Sequence, residues 1–341
     1  MGAQKVGALR QFCACFGKRL MNGWTVFEVA PGIFRIESIL GPRPFSQYLL
    51  RGERTLLVDT GVAETPGAVI LPALESLGLP AFELDFVLIS HADVDHFGGN
   101  EAIRAAAPSA LLCAHAAYVP WIEDRERILR ERYGWYVEHG IGYPPEVAAW
   151  LRDAMGADVP VDVRLQGSEA FRLGPGLEVR VLHLPGHSDG HLGLWEPTSR
   201  TAIVMDAVMA GGLLDTGGNV IHPSPYFDPA GYIASVELLE SLAPARLLTA
   251  HYDVIEGEAV ARFLADTRAF VARARAVVAE ELGAAGELTL AELRERADPR
   301  LGPFTSMPNE LAGPLRAHLR ELVAAGRAVE APDGLSWRAI A

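Results

Sequence analysis

Residues 86–99 read Phe86-Val-Leu-Ile-Ser90-His91-Ala-Asp93-Val-Asp95-His96-Phe-Gly98-Gly99. The unbroken apolar run at 86–90 has the character of a strand buried on both faces. Directly behind it come four potential metal ligands within six residues: His91, Asp93, Asp95 and His96. If the backbone is still extended at 91, the side chains of His91 and Asp93 leave on the same side. Asp95 and His96 then fall on the turn and reach a second position a few ångströms away. Imidazole and carboxylate together suit zinc, manganese or iron better than calcium, which takes oxygen ligands. Gly98 and Gly99 let the chain turn tightly into a helix expected at Glu101–Ala107.

Further ligands stand at comparable strand ends. His187 lies in His183-Leu-Pro-Gly-His187-Ser-Asp-Gly-His191, after the apolar strand expected at Leu177–Leu184. Asp206 ends the run AIVM, and His251 ends RLLTA and is followed by Tyr252-Asp253. With the 91–96 cluster these make seven ligands, enough for two metals.

Outward from the cluster, short strands are expected on either side of Pro31-Gly32, at Gln47–Leu50 and Thr55–Asp59 around Arg51-Gly52-Glu53, and at Leu111–Ala114, Leu192–Glu196, Ala202–Met205 and Arg246–Ala250. Helices are expected at Ala68–Leu77 and Ala230–Leu242. This mixture predicts an α/β fold of two packed sheets with helices outside. Residues 118–160 hold Tyr118, Trp121, Tyr133, Trp135, Tyr136, Tyr143 and Trp150 in helix-forming, charged sequence. They read as a cap, its aromatics either docking it or lining a substrate pocket. Beyond Gly257 the pattern is a long helix (Ala259–Glu281), two further helices (Thr289–Arg296, Leu311–Ala325) and a hairpin around Pro332-Asp333-Gly334, the order of a winged-helix module. Residues 1–20 read as an unstructured extension with Met21 as the working start; Cys13-Ala-Cys15 lacks the spacing of a CxxC motif.

The ligand pattern resembles that of the metallo-β-lactamase superfamily over about residues 24–257. The superfamily motif is His-x-His-x-Asp-His, followed by a histidine in a Pro-Gly-His segment, an aspartate and a late histidine. The resemblance implies an αββα sandwich, with one metal on His91, Asp93 and His187, a second on Asp95, His96 and His251, and Asp206 bridging them. It also implies that Asp59, in Asp59-Thr-Gly61, supports the metal loop. One position departs: the second motif histidine is Asp93. A carboxylate there makes the first site harder and shifts preference toward Fe or Mn without excluding Zn. It is also similar to flavodiiron-type members, which carry Glu there and add a flavodoxin domain; no flavin-binding loop stands in this chain. The C-terminal order is similar to the winged helix appended to a hydrolase branch of the superfamily that includes endoribonuclease-like proteins.

The implied activity is dinuclear metal-dependent hydrolysis, with two divalent ions, zinc first, presenting a bridging hydroxide to the carbonyl of a small ester, thioester or lactone. Asp95 and Asp206 are the candidate catalytic carboxylates. Tyr252, Tyr226 and His222 are candidate oxyanion donors, and His183 and His191 supporting or core residues. The alternatives are a di-iron oxidoreductase or oxygen-binding protein, and a nuclease or phosphodiesterase. Composition weighs against the last. The 341 residues carry a net charge of −13, with lysine only at positions 5 and 18, so a nucleic-acid partner is disfavoured. From Glu258 onward, 11 Arg face 12 Asp or Glu, which is not the balance of a DNA-reading module; bracing the catalytic domain or a homodimer suits it better. Three cysteines make no disulfide framework and point to the cytoplasm. No run approaches the length of a membrane span.

Overall fold

The computed structural model describes residues 23–340; the extension expected at 1–20, with Cys13 and Cys15, lies outside them. Two sheets face each other. The first runs β1 (Trp24–Ala30), β2 (Ile33–Leu40), β3 (Arg43–Arg51), β4 (Thr55–Val58), β5 (Phe86–Ile89), β6 (Leu111–His115) and β7 (Val163–Leu165) in spatial order. Its first four strands pair antiparallel, and β4 through β7 pair parallel. The second comprises β8 (Ala170–Gly174), β9 (Leu177–His183), β10 (Leu192–Glu196), β11 (Thr201–Ile203), β14 (Arg246–Leu248) and β15 (Ile255–Glu256). A separate ribbon of β12 (Leu213–Leu214) and β13 (Val220–His222) lies beside it in sequence.

Alternate side chains explain the apolar runs. Tyr48, Leu50, Leu56, Val58 and Leu88 face the second sheet and meet Val181, Leu194, Ile203 and Leu248. Leu49, Leu57, Val87 and Ile89 point the other way, into the layer of helices. The helices there are α1 (Leu71–Ser76), α2 (Val94–Phe97) and α3 (Asn100–Ala106); α7 (Pro229–Leu242) covers the outer face of the second sheet. The helix expected at Ala68–Leu77 is divided into a wide turn at Pro66–Ile70 and the short α1. Pro72 has no N–H to close an α-helical bond across that boundary.

Registers deliver the ligands. Val58 pairs with Leu88 in the parallel β4–β5 pair, so Asp59 and Ser90 leave the sheet side by side. Ile203 pairs with Leu248, which sets Asp206 and His251, each three residues further on, next to one another. The loop between β9 and β10 carries His187 and His191 to the same rim.

The cap contains α4 (Val119–Ile122), α5 (Arg125–Ile128), a wide turn at Leu129–Tyr133, a 3₁₀ turn at Trp135–His139 and α6 (Pro145–Asp153). The C-terminal segment holds the 28-residue α8 (Glu258–Ala285), α9 (Leu290–Leu301) and α10 (Ala312–Ala324). Its hairpin, β17 (Ala328–Glu330) and β18 (Ser336–Ala339), gains an unanticipated third strand, β16 (Glu287–Thr289), in the order β16-β18-β17. Phe270, Val278, Leu293, Leu315 and Trp337 of this segment share one core with Tyr136 and Ile141 of the cap and with Tyr226 and Tyr232. No helix of the described residues is long and apolar enough to cross a membrane.

Candidate metal centre

Four imidazoles at the rim are held from behind. His96 donates from Nδ1 to Asp59 Oδ2 at 2.6 Å, and His91 from Nδ1 to Ser90 Oγ at 3.0 Å. Ser90 in turn donates its hydroxyl to Asp59 Oδ2 and its N–H to Asp59 Oδ1, both at 2.7 Å. His187 Nδ1 donates to Pro225 O at 2.8 Å, and His251 Nδ1 to Pro44 O at 3.0 Å. The loop that presents His251 is itself clamped to the first sheet: Arg35 donates to Tyr252 O at 2.9 Å and Tyr48 to Thr249 O at 2.6 Å. With every Nδ1 protonated and engaged, each Nε2 lone pair points away from its support.

Those four Nε2 atoms are buried and have no hydrogen-bond partner. Carboxylate oxygens surround them at distances unsuited to hydrogen bonds. Asp206 Oδ2 lies 3.4 Å from both His96 and His251, and Asp95 Oδ2 3.6 Å from His251. Asp93 Oδ2 lies 3.4 Å from His187 and 3.8 Å from His91. Ligands about 2.0–2.1 Å from a tetrahedral ion stand roughly 3.3–3.5 Å apart, so these separations fit two donors on one cation. Three ligand triples are close enough to hold an ion: His91, Asp93 and His187; Asp95, His96 and His251; and His91, His96 and Asp206. The third triple links the other two.

The electrostatics point the same way. Burial disfavours an imidazolium at His96, yet Asp206, Asp59 and Asp95 raise its pKa well above the ordinary value. His251 is raised against burial by Asp206 and Asp95. The carboxylates therefore demand positive charge at this spot, and metal cations supply it where protons otherwise must.

Asp93 has a further partner. Arg132, in the wide turn of the cap, donates to Asp93 Oδ1 at 2.9 Å and to Oδ2 at 3.1 Å. Burial would raise the Asp93 carboxyl, but Arg132 together with His187 and His91 outweighs it and holds the group well below the usual carboxylate range. Arg132 also contacts Glu310, just ahead of α10, at 3.4–3.5 Å. Glu310 accepts from Tyr136 at 2.6 Å and from Tyr143. Wide turns of this kind recur at functional sites because they re-aim a side chain within a helix.

Residues 40–251 match the metallo-β-lactamase superfamily. The chain belongs to that superfamily. It is 26% identical over 229 residues to an acyl-coenzyme A thioesterase of Gallus gallus, covering 63% of this chain and 75% of that one. It is 28% identical over 145 residues to a hydroxyacylglutathione hydrolase of Methylococcus capsulatus, covering 42% of each. The crystal structure of a β-lactamase domain protein from Burkholderia ambifaria superposes with a TM-score of 0.73 at 24% identity, over 98% of both chains.

All seven ligands suggested by the superfamily pattern converge, and Asp59 stands behind them. The expectations for Tyr252 and Tyr226 need correction. Tyr252 is buried and donates to Met209 O at 2.6 Å and Gly212 O at 2.5 Å, so it braces a loop. Tyr226 hydrogen-bonds His318 at 2.7 Å within the C-terminal core. Neither lines the chamber above the ligands. His191 stacks on His91 at 4.6 Å, fully buried, which fits a packing role. His183 donates to Asp189 O at 2.7 Å. His222 does line the chamber; its Nδ1 donates to Pro223 O at 2.6 Å, and burial pushes its pKa down to about 4.

Tyr133 and Trp150, two of the cap aromatics, line the chamber as well, and sequence reasoning missed Arg43, Arg132, Met307 and Glu310. Tyr133 accepts from Val94 N at 2.9 Å, which leaves its own proton to donate. Burial raises that phenol well above its usual pKa. The chamber holds about 50 Å³, room for a few waters. A vestibule of about 250 Å³, lined by Leu40, Val147 and Ser306, shares Arg43, Trp150 and Met307 with it.

Proposed function

We propose that this metal-dependent hydrolase of the metallo-β-lactamase superfamily carries two divalent ions, zinc in the first instance, and cleaves a small ester, thioester or lactone. The observation that carries the reading is the set of four orphaned Nε2 atoms facing three carboxylates. His91, Asp93 and His187 would hold one ion, Asp95, His96 and His251 the other, and Asp206 both. When bound, such ions supply an acidified water and polarise the electrophile.

The chain's own residues do the remainder. The narrow chamber admits only the reacting end of a substrate, while Trp150, Val147 and Leu40 receive an apolar acyl portion in the vestibule. Tyr133 offers a neutral donor to the developing oxyanion. Asp95 or Asp206 would orient the attacking water and accept its proton. A roofed chamber suits a small acyl group better than a polynucleotide, which needs an open basic groove. The two relatives named above, a thioesterase and an acyl-glutathione hydrolase, support the acyl class.

The test is turnover by zinc-loaded protein of an acetyl thioester, a phenyl ester, a lactone and a phosphodiester. Acyl hydrolysis abolished by chelation and restored by zinc is expected. Cleavage of the phosphodiester alone would overturn the substrate class. The carboxylate at Asp93 favours one competing reading, a di-iron oxidoreductase. Purified protein with two irons and oxygen consumption would establish that reading instead.

A further inference from the structure

A second cavity, of about 310 Å³, lies between the cap and α10. Arg132 lines both this cavity and the metal chamber, so its side chain is a shared wall. From the cap come Tyr118, Trp121 and Trp135; Phe227 completes the aromatic lining. From α10 come Gly313, Arg316, Ala317 and Arg320, which recur at the spacing of one helical face. Two small residues on that face open the space, and two arginines border it. The opening is tight at Gly313, where an added Cβ would approach the Phe227 ring to 2.9 Å.

Among the described residues, neither Arg316 nor Arg320 has a carboxylate within ion-pair distance, whereas Arg275 and Arg300 of the same segment are paired. Arg316 places its guanidinium carbon 5.1 Å from the Trp135 ring centroid, a cation–π contact. Its Nε is buried with no hydrogen-bond partner. Burial and the neighbouring Arg320 charge depress its pKa, and the more distant Glu330 and Glu138 offset this only in part. In the cavity wall itself Glu131 is engaged by Arg127 and Trp121, and Asp189 is the other carboxylate of the lining.

We infer that this cavity binds a small anion carrying a planar ring, the ring lying among Trp121, Trp135 and Phe227 and the anionic group meeting Arg316 and Arg320. Its volume is at the lower end of that of small-ligand pockets. The ligand is either one end of the substrate or a separate effector. Because Arg132 also holds Asp93, an occupant touching Arg132 reaches the metal ligands through one side chain.

The test uses metal-free full-length protein, so it is independent of the proposed hydrolysis. Quenching of the cavity tryptophans is titrated with AMP and with benzoate, and with adenosine and inorganic phosphate as probes having only ring or only charge. Saturable binding of AMP or benzoate at millimolar concentration or tighter is expected. It should weaken at least ~10-fold in Arg316→Ala/Arg320→Ala, in which the two cationic groups of the lining are removed, and in Ala117→Leu, which adds bulk to the cavity wall. Adenosine and phosphate should bind at least ~10-fold more weakly than AMP. No saturable binding, binding unchanged in both variants, or phosphate binding as tightly as AMP would overturn the inference. With turnover in hand, a rise in KM alone marks the ligand as part of the substrate, and a change in kcat marks an effector; either supports the site.

Discussion

Arg132 grips both carboxylate oxygens of Asp93, at 2.9 and 3.1 Å, while Asp93 Oδ2 still lies 3.4 Å from His187 Nε2. A position that carries histidine in the superfamily motif is thus a carboxylate whose charge is matched by a guanidinium, so the replacement adds less negative charge to the centre than its formal −1.

Removing that guanidinium has a metal-dependent cost. Breaking a buried ion pair typically costs about 3–5 kcal/mol because a charge is stranded. In Arg132→Met the metal-free protein should lose about that much, and the zinc-loaded protein clearly less, since a cation at Asp93 replaces the lost charge. Adding Glu310→Gln removes the second stranded carboxylate and should recover part of the loss. Thermal unfolding with and without zinc measures both; an equal loss in the two states refutes the compensation.

Asp93→Ala should lower metal content from two equivalents toward one, and Asp93→His should retain two. Elemental analysis after dialysis reads this directly. Two retained equivalents in Asp93→Ala would remove Asp93 from the ligand set.

Asp59 accepts from His96 and twice from Ser90. Supporting carboxylates of this type typically contribute 10–100-fold in metal affinity. Asp59→Asn should weaken zinc binding by about that factor in a chelator competition, with the fold intact by circular dichroism. Unchanged affinity would mean the hydrogen bonds serve folding alone.

Tyr133→Phe removes the one proposed oxyanion donor from the cap. A fall of about 10²-fold in kcat with little change in KM is expected. A change confined to KM would make Tyr133 a wall and not a donor.

His222 is held neutral, its pKa pushed from 6.5 to about 4 by burial. The unfolded chain binds that proton first, so the stability this neutrality contributes is present above about pH 6.5 and is lost as pH falls toward 4. His222→Gln should flatten the decline of stability across that window. Denaturant titrations of metal-free protein at several pH values test it, and parallel curves for the two proteins would contradict it.

The convergence of the seven candidate ligands was legible in the sequence because each stands at a strand end with a distinctive spacing. Asp206 and His251 are three residues past paired positions of β11 and β14, a regularity that the apolar runs already imply. Arg132 and Glu310 in the chamber wall were not legible. Arg132 is 39 residues from Asp93, and Glu310 is 178 from Arg132; no local period connects them. Tyr226 and Tyr252 misled for the complementary reason. Each follows a ligand or a loop near the rim, but a tyrosine's direction depends on which acceptor it finds, and these two found a histidine and two carbonyls in the core.

Met307 and Glu310, which line the chamber, are synthesised about fifty residues after the last strand of the two sheets, Ile255–Glu256. A nascent chain that has already formed both sheets has its ligands in place yet no closed chamber, because Arg132, Tyr136 and Tyr143 still await the carboxylate that gathers them. Synthesis order thus separates acquisition of the metal-binding rim from completion of the pocket, and every chain truncated before Glu310 stops on the open side of that step.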